Sequence, residues 1–544
     1  MSDTSSGTAA SRSAGAITPR QEKIARRRTF AIISHPDAGK TTLTEKLLLY
    51  GGALHLAGSV KARRAVRHAT SDWIEMEKER GISVTSSVLQ FDYEGYRINL
   101  LDTPGHADFS EDTYRTLIAA DSAVMLLDNR KGIEERTRKL FHVCERRDIP
   151  IFTFVNKCDR VGTDPLSLLD DVERDLGMTC YPLAWPVFDG PRFLGVAEPG
   201  DKVVHLFEKG EHHGQEKVGE RVVHLDDPEA RERLGEDVAD GLREDLELLD
   251  LAGADWDEEA FEAGDLSPTF FGSALTNFGV ELFLRRFLGM APPPRPRPSN
   301  RGPVRPSDES FSGFVFKIQA NMDPNHRDRV AFIRICSGSF EPGMEVLNHR
   351  SGETVRLAQP RKFLARERAT VKDAWPGDVI GILDRGSLHI GDTLAEDPEL
   401  DFGGIPRFSP EHFARIRVPD PLRRKHLDKG LGQLSEEGAA QVFYETSVTG
   451  PSPIVGAVGV LQFDVLLHRL DTEYNVEARL DQMPYSHARW VQGDDDEIER
   501  VASGYGRKLV FDGRSRPLLL FENAYTLRRT TEKETGLTYH EVAP

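Results

Sequence analysis

Residues 30–160 alternate short apolar runs with amphipathic stretches. The runs lie at residues 30–33, 87–91, 96–101, 123–127 and 151–155, and a polar residue follows each of them. This alternation predicts strands that form a mostly parallel β-sheet covered by helices. Ligands of such sheets bind at the carboxyl ends of the strands, so the residues that directly follow the runs are the first candidates for chemistry.

The hydrophobic pattern changes twice beyond this region. From about residue 311 to 404, apolar and polar residues alternate and helical patterns vanish, which predicts a small antiparallel β-barrel. From about residue 406, strand and helix patterns mix again, which predicts an α+β domain. The proline-rich run Ala291–Pro298 lies before the barrel and predicts a semi-rigid extended linker. The linker is either a solvated tether or a segment whose arginines contact RNA.

These changes predict a multidomain chain. We expect a disordered tail over residues 1–27, an α/β domain over 28–292, the linker over 293–308, the barrel over 309–404 and the α+β domain over 405–544. Within the α/β domain, the segment from about 162 to 265 is too long for a plain connection and must hold its own structure. Two apolar runs, 203–206 and 222–225, predict a hairpin there.

The charged and imidazole side chains of this inserted segment favour no metal site. His205, His212, His213 and His224 lack the spacing and the carboxylates that a metal ion needs, so we expect surface imidazoles. Residues 226–265 are heavily acidic and are expected to form a solvated helical face. Docking of a basic protein on this face is the less favoured alternative.

Composition excludes several classes of protein. The formal net charge is −18, so bulk charge does not favour nucleic-acid binding, although local basic patches could contact phosphates. The four cysteines are widely spaced, which fits a reducing compartment and neither a disulfide framework nor a zinc site. No apolar run approaches the roughly 20 residues of a membrane span. We therefore expect a cytoplasmic protein.

The strongest candidate for chemistry follows the first apolar run. Ser34–Thr41 contains Gly39-Lys40-Thr41, which is the core of a phosphate-binding loop, and an amphipathic stretch follows it. Backbone N–H groups of such a loop and the positive end of the next helix bind phosphate oxygens. Lys40 adds a charge on the outer phosphates, and the Thr41 hydroxyl can ligate Mg²⁺. Ser34 stands where the consensus loop has glycine.

A second motif, Asp102–His106, follows the run at 96–101. Asp102 is placed at a strand end where it can hold Mg²⁺ through a water molecule. Gly105 can offer its N–H group to a γ-phosphate, and its flexibility lets the segment move after hydrolysis. His106 lies where a side chain could orient an attacking water. A positioning or charge role for His106 is as consistent with the motif as a literal base.

Two further motifs are predicted to bind the base of a nucleotide. Asn156-Lys157-Cys158-Asp159 follows the run at 151–155, and the Asp159 carboxylate can accept hydrogen bonds from N1–H and the 2-amino group of guanine. Adenine lacks that pair of donors, so a buried acceptor at this position selects guanine. Lys157 can cover the base plane, and Asn156 can brace the loops. Ser273-Ala274 follows another apolar run and suits contact with the guanine O6.

Together the four motifs resemble the GTP-binding domain of translational GTPases, and residues 311–404 resemble the second domain of that family. The resemblance covers roughly residues 22–544 and implies a GTPase that uses GTP, GDP and Mg²⁺. The residues that it implies for nucleotide binding are Ser34, His35, Pro36, Asp37, Ala38, Gly39, Lys40, Thr41, Asp102, Thr103, Pro104, Gly105, His106, Asn156, Lys157, Cys158, Asp159, Ser273 and Ala274. His106 and Lys40 are the expected catalytic residues.

The resemblance also identifies Asp72–Ser83 as the first switch segment, in which the family has a threonine over Mg²⁺ and the γ-phosphate. Ser83 stands at that position here, and Thr85 is a nearby substitute. The implied Mg²⁺ ligands are therefore Thr41, Asp102 and Ser83, with Thr85 as the alternative to Ser83. Basic clusters at 361–362, 366–368 and 423–426 could face ribosomal RNA or solvent.

Three segments narrow the resemblance to the branch of the family that acts at translation termination: Ser34–Thr42, Glu79–Ser83 and Val458–Phe463. This implies a monomer that binds the 70S ribosome, has no contact with membranes and meets class I release factors only indirectly, by removing them after peptide release. The alternatives are a translocase, a non-hydrolysing GTP sensor and a GTP-using metabolic enzyme. A translocase would carry further C-terminal domains, for which a chain ending at Pro544 leaves little room.

Overall fold

The computed structural model describes residues 18–52, 85–208, 219–252, 255–320, 329–358, 360–364, 367–370, 372–445 and 452–543. The prediction of a disordered tail over residues 1–27 is wrong at its C-terminal end, because Pro19–Ala25 forms helix α1 and the first strand starts at Arg27. The Thr18 side chain accepts the Gln21 N–H group, while the Gln21 side chain accepts the Thr18 N–H group at 2.9 Å. This capping box, with a proline at the first helical position, makes the short helix favourable.

A ten-stranded sheet forms the centre of the first domain, in the order β2-β3-β1-β4-β5-β10-β6-β7-β8-β9. Its strands are β1 (Arg27–Ser34), β2 (Ser87–Tyr93), β3 (Tyr96–Asp102), β4 (Ser122–Asp128), β5 (Ile151–Asn156), β6 (Thr179–Asp189), β7 (Arg192–Glu198), β8 (Val203–Phe207), β9 (Glu220–His224) and β10 (Leu266–Phe271). Strands β3, β1, β4, β5, β10 and β6 run parallel, as the alternating pattern predicts. Their apolar side chains are almost fully buried, so this part of the sheet is a rigid base for the loops at its carboxyl edge.

Helices of this domain cover the sheet and connect its strands. After α1 they are α2 (Lys40–Tyr50), α3 (Ser110–Ile118), α4 (Glu135–Glu145), α5 (Pro165–Leu176), α6 (Pro228–Leu234), α7 (Glu236–Ala252), α8 (Glu258–Ala263) and α9 (Val280–Met290), with a 3₁₀ turn at Ala107–Phe109. The inserted segment continues the central sheet, since β6 pairs with β10 and β7, β8 and β9 follow antiparallel. The predicted hairpin is confirmed as β8–β9.

His205 departs from the expected surface imidazole, because its side chain is only 9% exposed. Its Nε2 lies 2.7 Å from Glu198 Oε1, and its Nδ1 contacts Glu220 on the neighbouring strand. Glu198 also pairs with Arg286 of α9. The hairpin is therefore tied to the domain by a charged cluster. Among the described residues no group of three or more His, Cys, Asp or Glu side chains is arranged to hold a metal ion; His212 and His213 lie outside these residues.

We expect the stability contributed by this cluster to depend on pH. Burial opposes the charged ring, but hydrogen bonds to Glu198 and Glu220 outweigh it and raise the pKa of His205 to about 9. Because the folded pKa lies above the ordinary value of 6.5, the contribution is fully present below pH 6.5 and is lost as the pH rises through about 9. Urea unfolding of the wild type and of His205→Gln at both ends of this range would measure it. The difference in unfolding free energy between the two proteins should shrink at the alkaline end. His224→Gln serves as the control, because His224 is a half-exposed side chain on the neighbouring strand β9.

The second domain is an antiparallel sheet that curls around its own apolar core, as predicted. Its strands are β11 (Ser312–Ala320), β12 (Arg329–Ser337), β13 (Glu345–Asn348), β14 (Glu353–Arg356), β15 (Arg361–Leu364), β16 (Glu367–Thr370), β17 (Val379–Asp384) and β18 (Thr393–Ala395). The side chains of the basic residues at 361–362 and 366–368 lie outside the described part of the chain.

The proline-rich segment before this domain packs against the first domain, so neither a solvated tether nor free contact with RNA describes its Arg297. The Arg297 guanidinium donates to the carbonyls of Ile118 and Ala120 at 2.8 and 2.7 Å and lies 3.1 Å from Asp121 Oδ1. These carbonyls are at the C-terminal end of α3, where helices lack internal donors. The other Asp121 oxygen pairs with the buried Arg334 of the second domain, so one carboxylate joins both domains to the linker.

The C-terminal domain contains a sheet in the order β22-β19-β21-β20-β24-β25-β23-β26. Its strands are β19 (His412–Arg417), β20 (Gln441–Glu445), β21 (Ser452–Ala457), β22 (Arg479–Gln482), β23 (His487–Gln492), β24 (Arg507–Asp512), β25 (Pro517–Phe521) and β26 (Thr538–His540). Its helices are α10 (Arg424–Glu436), α11 (Leu461–Tyr474), α12 (Asp495–Ala502) and α13 (Ala524–Lys533), with a 3₁₀ turn at Pro421–Arg423. The predicted α+β class is confirmed. No helix of the described residues is long and apolar enough to cross a membrane.

Candidate functional site

The predicted motifs meet at the carboxyl edge of the central sheet. Strands β3, β1, β4, β5 and β10 are neighbours there, and segments that follow β1, β3, β5 and β10 line a cavity of about 350 Å³. The predicted residues that line this cavity are Ser34, His35, Pro36, Asp37, Gly39, Lys40, Thr41, Gly105, His106, Asn156, Lys157 and Asp159. The other predicted residues, Ala38, Asp102, Thr103, Pro104, Cys158, Ser273 and Ala274, are not among the lining residues and lie in the same loops or strand ends.

The loop between β1 and α2 has the backbone of an anion site. Asp37 and Gly39 adopt left-handed φ angles of 67° and 98°. A Cβ atom at Gly39 would overlap the Asn156 side-chain amide, so the close approach of the two loops requires glycine. Helix α2 begins at Lys40 and no side chain caps its N-terminus. Its first N–H groups can therefore donate to a phosphate at the positive end of the helix.

Lys40 and Asp102 form a buried ion pair at the base of the cavity. Lys40 Nζ lies 2.5 Å from Asp102 Oδ1, and the two side chains are 6% and 2% exposed. The pair joins the start of α2, which follows the first motif, to the end of β3, where the second motif begins. Next to it, the Thr103 hydroxyl donates to the Ile32 carbonyl at 2.7 Å, so this hydroxyl fixes the end of β3 to β1.

Two histidines border the cavity in different environments. His35 is buried and contacts Glu134; burial outweighs this carboxylate and lowers the pKa of the imidazole. A neutral His35 is therefore expected at physiological pH. His106 is 38% exposed, and its Nδ1 lies 3.2 Å from Asp108 Oδ1. The Asp108 backbone N–H group also points at this nitrogen, at 3.3 Å.

The third and fourth motifs are joined by direct hydrogen bonds. Asn156 donates to the Ala38 carbonyl at 2.7 Å and accepts the Ala274 N–H group at 2.8 Å, so its side chain links the phosphate loop to the last motif. The Ser273 hydroxyl donates to Asp159 Oδ1 at 2.6 Å. This bond holds the Asp159 carboxylate at the cavity wall.

Asp128 was missed by the motif analysis, although it belongs to the site. It is the last residue of β4, and its Oδ2 lies 2.8 Å from Lys157 Nζ. Burial opposes its charge, but hydrogen bonds from Lys157 and from the Arg130 N–H group outweigh it and lower its pKa. Arg160 and Leu275 also line the cavity. The rule that polar residues follow the strands could have identified Asp128, because the apolar run at 123–127 precedes it directly.

The segment predicted to be the first switch cannot be compared with the site. Asp72–Ser83 lies outside the described residues, and so does the expected ligand Ser83. Thr85 is the first described residue after this gap, and the adjacent Ser86 N–H group donates to Asp112 Oδ2 at 2.6 Å. The choice between Ser83 and Thr85 as a metal ligand therefore stays a prediction.

Three protein-family models match the chain in the order of its domains. The "Elongation factor Tu GTP binding domain" matches residues 25–293, "Elongation factor G domain 2" matches residues 310–397, and "Class II release factor RF3, C-terminal domain" matches residues 402–531. These matches cover the candidate site, the curled sheet and most of the C-terminal domain.

Curated relatives and a solved structure are similar over most of the chain. Peptide chain release factor 3 of Symbiobacterium thermophilum is 56% identical over 96% of this chain and 98% of its own length. The protein of the same name from Gloeothece citriformis is 54% identical over 96% of this chain and 97% of its own. A crystal structure of a Thermus thermophilus protein is 25% identical, with a TM-score of 0.68, over 87% of this chain and 71% of that one.

Proposed function

Because the chain belongs to the peptide chain release factor 3 family, whose members are translational GTPases of termination, we propose that it promotes dissociation of class I release factors from the ribosome after peptide release. The observation that supports nucleotide binding in this proposal is the convergence of the predicted motifs Ser34–Thr41, Asp102–His106 and Asn156–Asp159 on one cavity. The match of residues 402–531 to a class II release factor domain favours termination over the translocase alternative. Membership in a GTPase family likewise argues against a non-hydrolysing sensor.

The nucleotide would enter with its phosphates on the loop between β1 and α2. The free N–H groups of α2 would bind the phosphate oxygens, and Lys40 would exchange its ion pair with Asp102 for a contact with the outer phosphates. That exchange would free the Asp102 carboxylate to serve, with the Thr41 hydroxyl, as a metal ligand. Carboxylate and hydroxyl oxygens are ligands that Mg²⁺ accepts, so the residues present fit this ion. Asp102 and Thr41 would hold this ion, which would supply positive charge against the phosphates.

Asp159 would read the guanine edge from the far end of the cavity. Its carboxylate is held by Ser273, and Asn156 joins the loop that carries Ala274 to the phosphate loop. Base and phosphates are therefore recognised by segments that are hydrogen-bonded to each other. This arrangement would let a bound guanine stiffen the phosphate loop as well.

Hydrolysis would rely mainly on positioning and charge stabilisation. His106 lies on the cavity wall with Nδ1 engaged by Asp108, so its other ring nitrogen is the one that can contact the attacking water. Ribosomal contact would hold His106 against that water. Release of the γ-phosphate would free the Gly105 N–H group and let the segment change its conformation, which ends the engaged state.

We expect slow GTP turnover by the protein alone and strong acceleration by 70S ribosomes. The test combines turnover with release of a labelled class I release factor from post-release ribosomes, in the presence of GTP, of GDP and of a non-hydrolysable GTP analogue. GTP should give both acceleration of turnover and loss of the label. Turnover that ribosomes do not change would contradict a ribosomal role. Acceleration without loss of the label would leave the protein a ribosomal GTPase and remove the proposed effect on class I factors.

A further inference from the structure

The C-terminal domain contacts the segment that carries His106. On the side of the C-terminal domain, the contact involves Val458–Phe463, one of the three segments that narrow the resemblance to the termination branch. On the side of the first domain it involves Asp108, two residues after His106. Asp108 Oδ2 accepts the Leu461 N–H group at 2.6 Å, while Asp108 Oδ1 lies 3.2 Å from His106 Nδ1. One carboxylate therefore contacts the candidate catalytic histidine with one oxygen and another domain with the other.

Leu461 is the first residue of α11, and this explains the chemistry of the contact. The first N–H groups of a helix lack internal acceptors, and a carboxylate is favoured at the positive end of the helix. Gln462 Oε1 accepts the Val458 N–H group at 2.8 Å, which shapes the turn before the helix. Asp108 supplies an acceptor for Leu461 from a position 353 residues earlier in the chain.

Gly459 makes the close approach possible. A Cβ atom at this position would overlap the carboxyl group of Asp108. Any side chain at Gly459 must therefore push Asp108 away or separate the two domains. Because Gly459 itself lies in the C-terminal domain, it offers a way to disturb the contact without changing the nucleotide-binding loops.

The helix that follows His106 makes two more contacts with the same domain. The rings of Tyr114 and Phe408 are 4.8 Å apart in an edge-to-face arrangement, and Arg115 donates to the Gly438 carbonyl at 3.4 Å. These contacts anchor α3 through residues that lie 8 and 9 positions after His106. Asp108, by contrast, touches both His106 and the C-terminal domain.

We propose that Asp108 is a positioning residue through which docking of the C-terminal domain fixes the orientation of His106 for GTP hydrolysis. The inference rests on the proposed function and adds a control of hydrolysis from within the chain. When Leu461 holds Asp108, the carboxylate presents a fixed oxygen to Nδ1, and the ring keeps one orientation. When the domains separate, Asp108 loses this anchor, and the imidazole is free to rotate away from the water.

The test compares Gly459→Ala, Asp108→Ala and the double variant with the wild type and with Gly432→Ala. Gly432 lies in α10 of the same domain, and a Cβ there meets nothing within 4 Å, so it is a matched glycine-to-alanine control. Small misplacements of a positioned group cost up to about 100-fold in rate. We expect Gly459→Ala and Asp108→Ala each to lower the ribosome-stimulated kcat by about 10- to 100-fold. The KM for ribosomes and the affinity of Gly459→Ala for GDP should stay near the wild-type values.

Non-additivity is the decisive readout, because both substitutions would break one coupling. The double variant should lose no more than the more severe single variant. Wild-type kcat in Gly459→Ala, or losses that multiply in the double variant, would overturn the proposal. A thermal melt and GDP affinity identify a variant that has merely unfolded. If Gly459→Ala fails in this way, Asp108→Asn decides: its amide oxygen can accept the Leu461 N–H group while its amide nitrogen faces His106 Nδ1, so its kcat must exceed that of Asp108→Ala. Equal kcat in these two variants refutes the coupling. Absence of ribosomal stimulation in the wild type would contradict the proposed function instead.

Discussion

Lys40→Met is expected to lower the affinity for GTP by about 100-fold and to destabilise the first domain by about 3 kcal/mol. Lys40 is a cation at the base of the cavity, and its loss would remove the proposed charge-assisted hydrogen bond to phosphate. The same change leaves Asp102 as a buried carboxylate without its partner at 2.5 Å. Breaking a buried pair from one side costs more than replacing both partners. Binding of a fluorescent guanine nucleotide and urea unfolding would measure the two effects.

A second substitution separates the binding role of Lys40 from its structural role. In the double variant Lys40→Met, Asp102→Asn no buried charge is left unpaired, so stability should return towards the wild-type value while nucleotide affinity stays low. Lys139→Met, which removes an exposed pair with Glu135, should leave the free energy of unfolding close to the wild-type value. Normal GTP affinity in Lys40→Met would contradict the assignment of the phosphate site.

The site was predictable to a large extent because its information is local. Each motif is a short stretch that follows one apolar run, and parallel strands bring their carboxyl ends to one edge. Locating the runs was therefore enough to bring Lys40, Asp102 and Asn156 together. The hairpin at β8–β9 and the change to an antiparallel sheet were predictable for the same reason, since strand periodicity is read within a few residues.

Contacts between distant segments could not be predicted in this way. Arg297 was interpreted from its proline-rich surroundings, but its partners are carbonyls at the end of α3. His205 was expected at the surface, but Glu198 and Glu220 enclose it once the strands pair. Nothing in the residues around Gly459 indicates that Asp108 will lie against it. Such pairings depend on how whole domains pack, and a single sequence carries no pattern that identifies them.

The expected disordered tail is a different kind of error, because the sequence did contain the signal. Thr18-Pro19 followed by Gln21 is a helix start, with a capping residue, a proline at the first position and a partner three residues on. The prediction rests on residues 2–16, which are rich in Ser, Thr, Ala and Gly, and it extends their composition to residues that begin a helix. Composition is an average over many residues, whereas the start of a helix depends on a few individual capping residues.

Asp159→Asn is expected to lower the affinity for GTP by at least about 100-fold and to raise the affinity for xanthosine triphosphate. The carboxylate can accept from both N1–H and the 2-amino group of guanine, whereas asparagine offers one acceptor and one donor. Xanthine carries a carbonyl oxygen at C2, so the asparagine amide can donate to it while its oxygen accepts from N1–H. The asparagine oxygen can also keep the 2.6 Å bond from Ser273, so the loop should retain its shape.

Competition between the two triphosphates for one fluorescent nucleotide analogue measures this change in preference directly. Asp164→Asn is the matched control, because Asp164 caps α5 through Ser167 and asparagine is an equally good cap. The control should bind GTP as the wild type does. A preference that Asp159→Asn leaves unchanged would mean that the base does not meet this carboxylate. Loss of affinity for both triphosphates would indicate that the loop has collapsed. A thermal melt of Asp159→Asn, compared with that of Asp164→Asn, distinguishes this outcome from a change of base specificity.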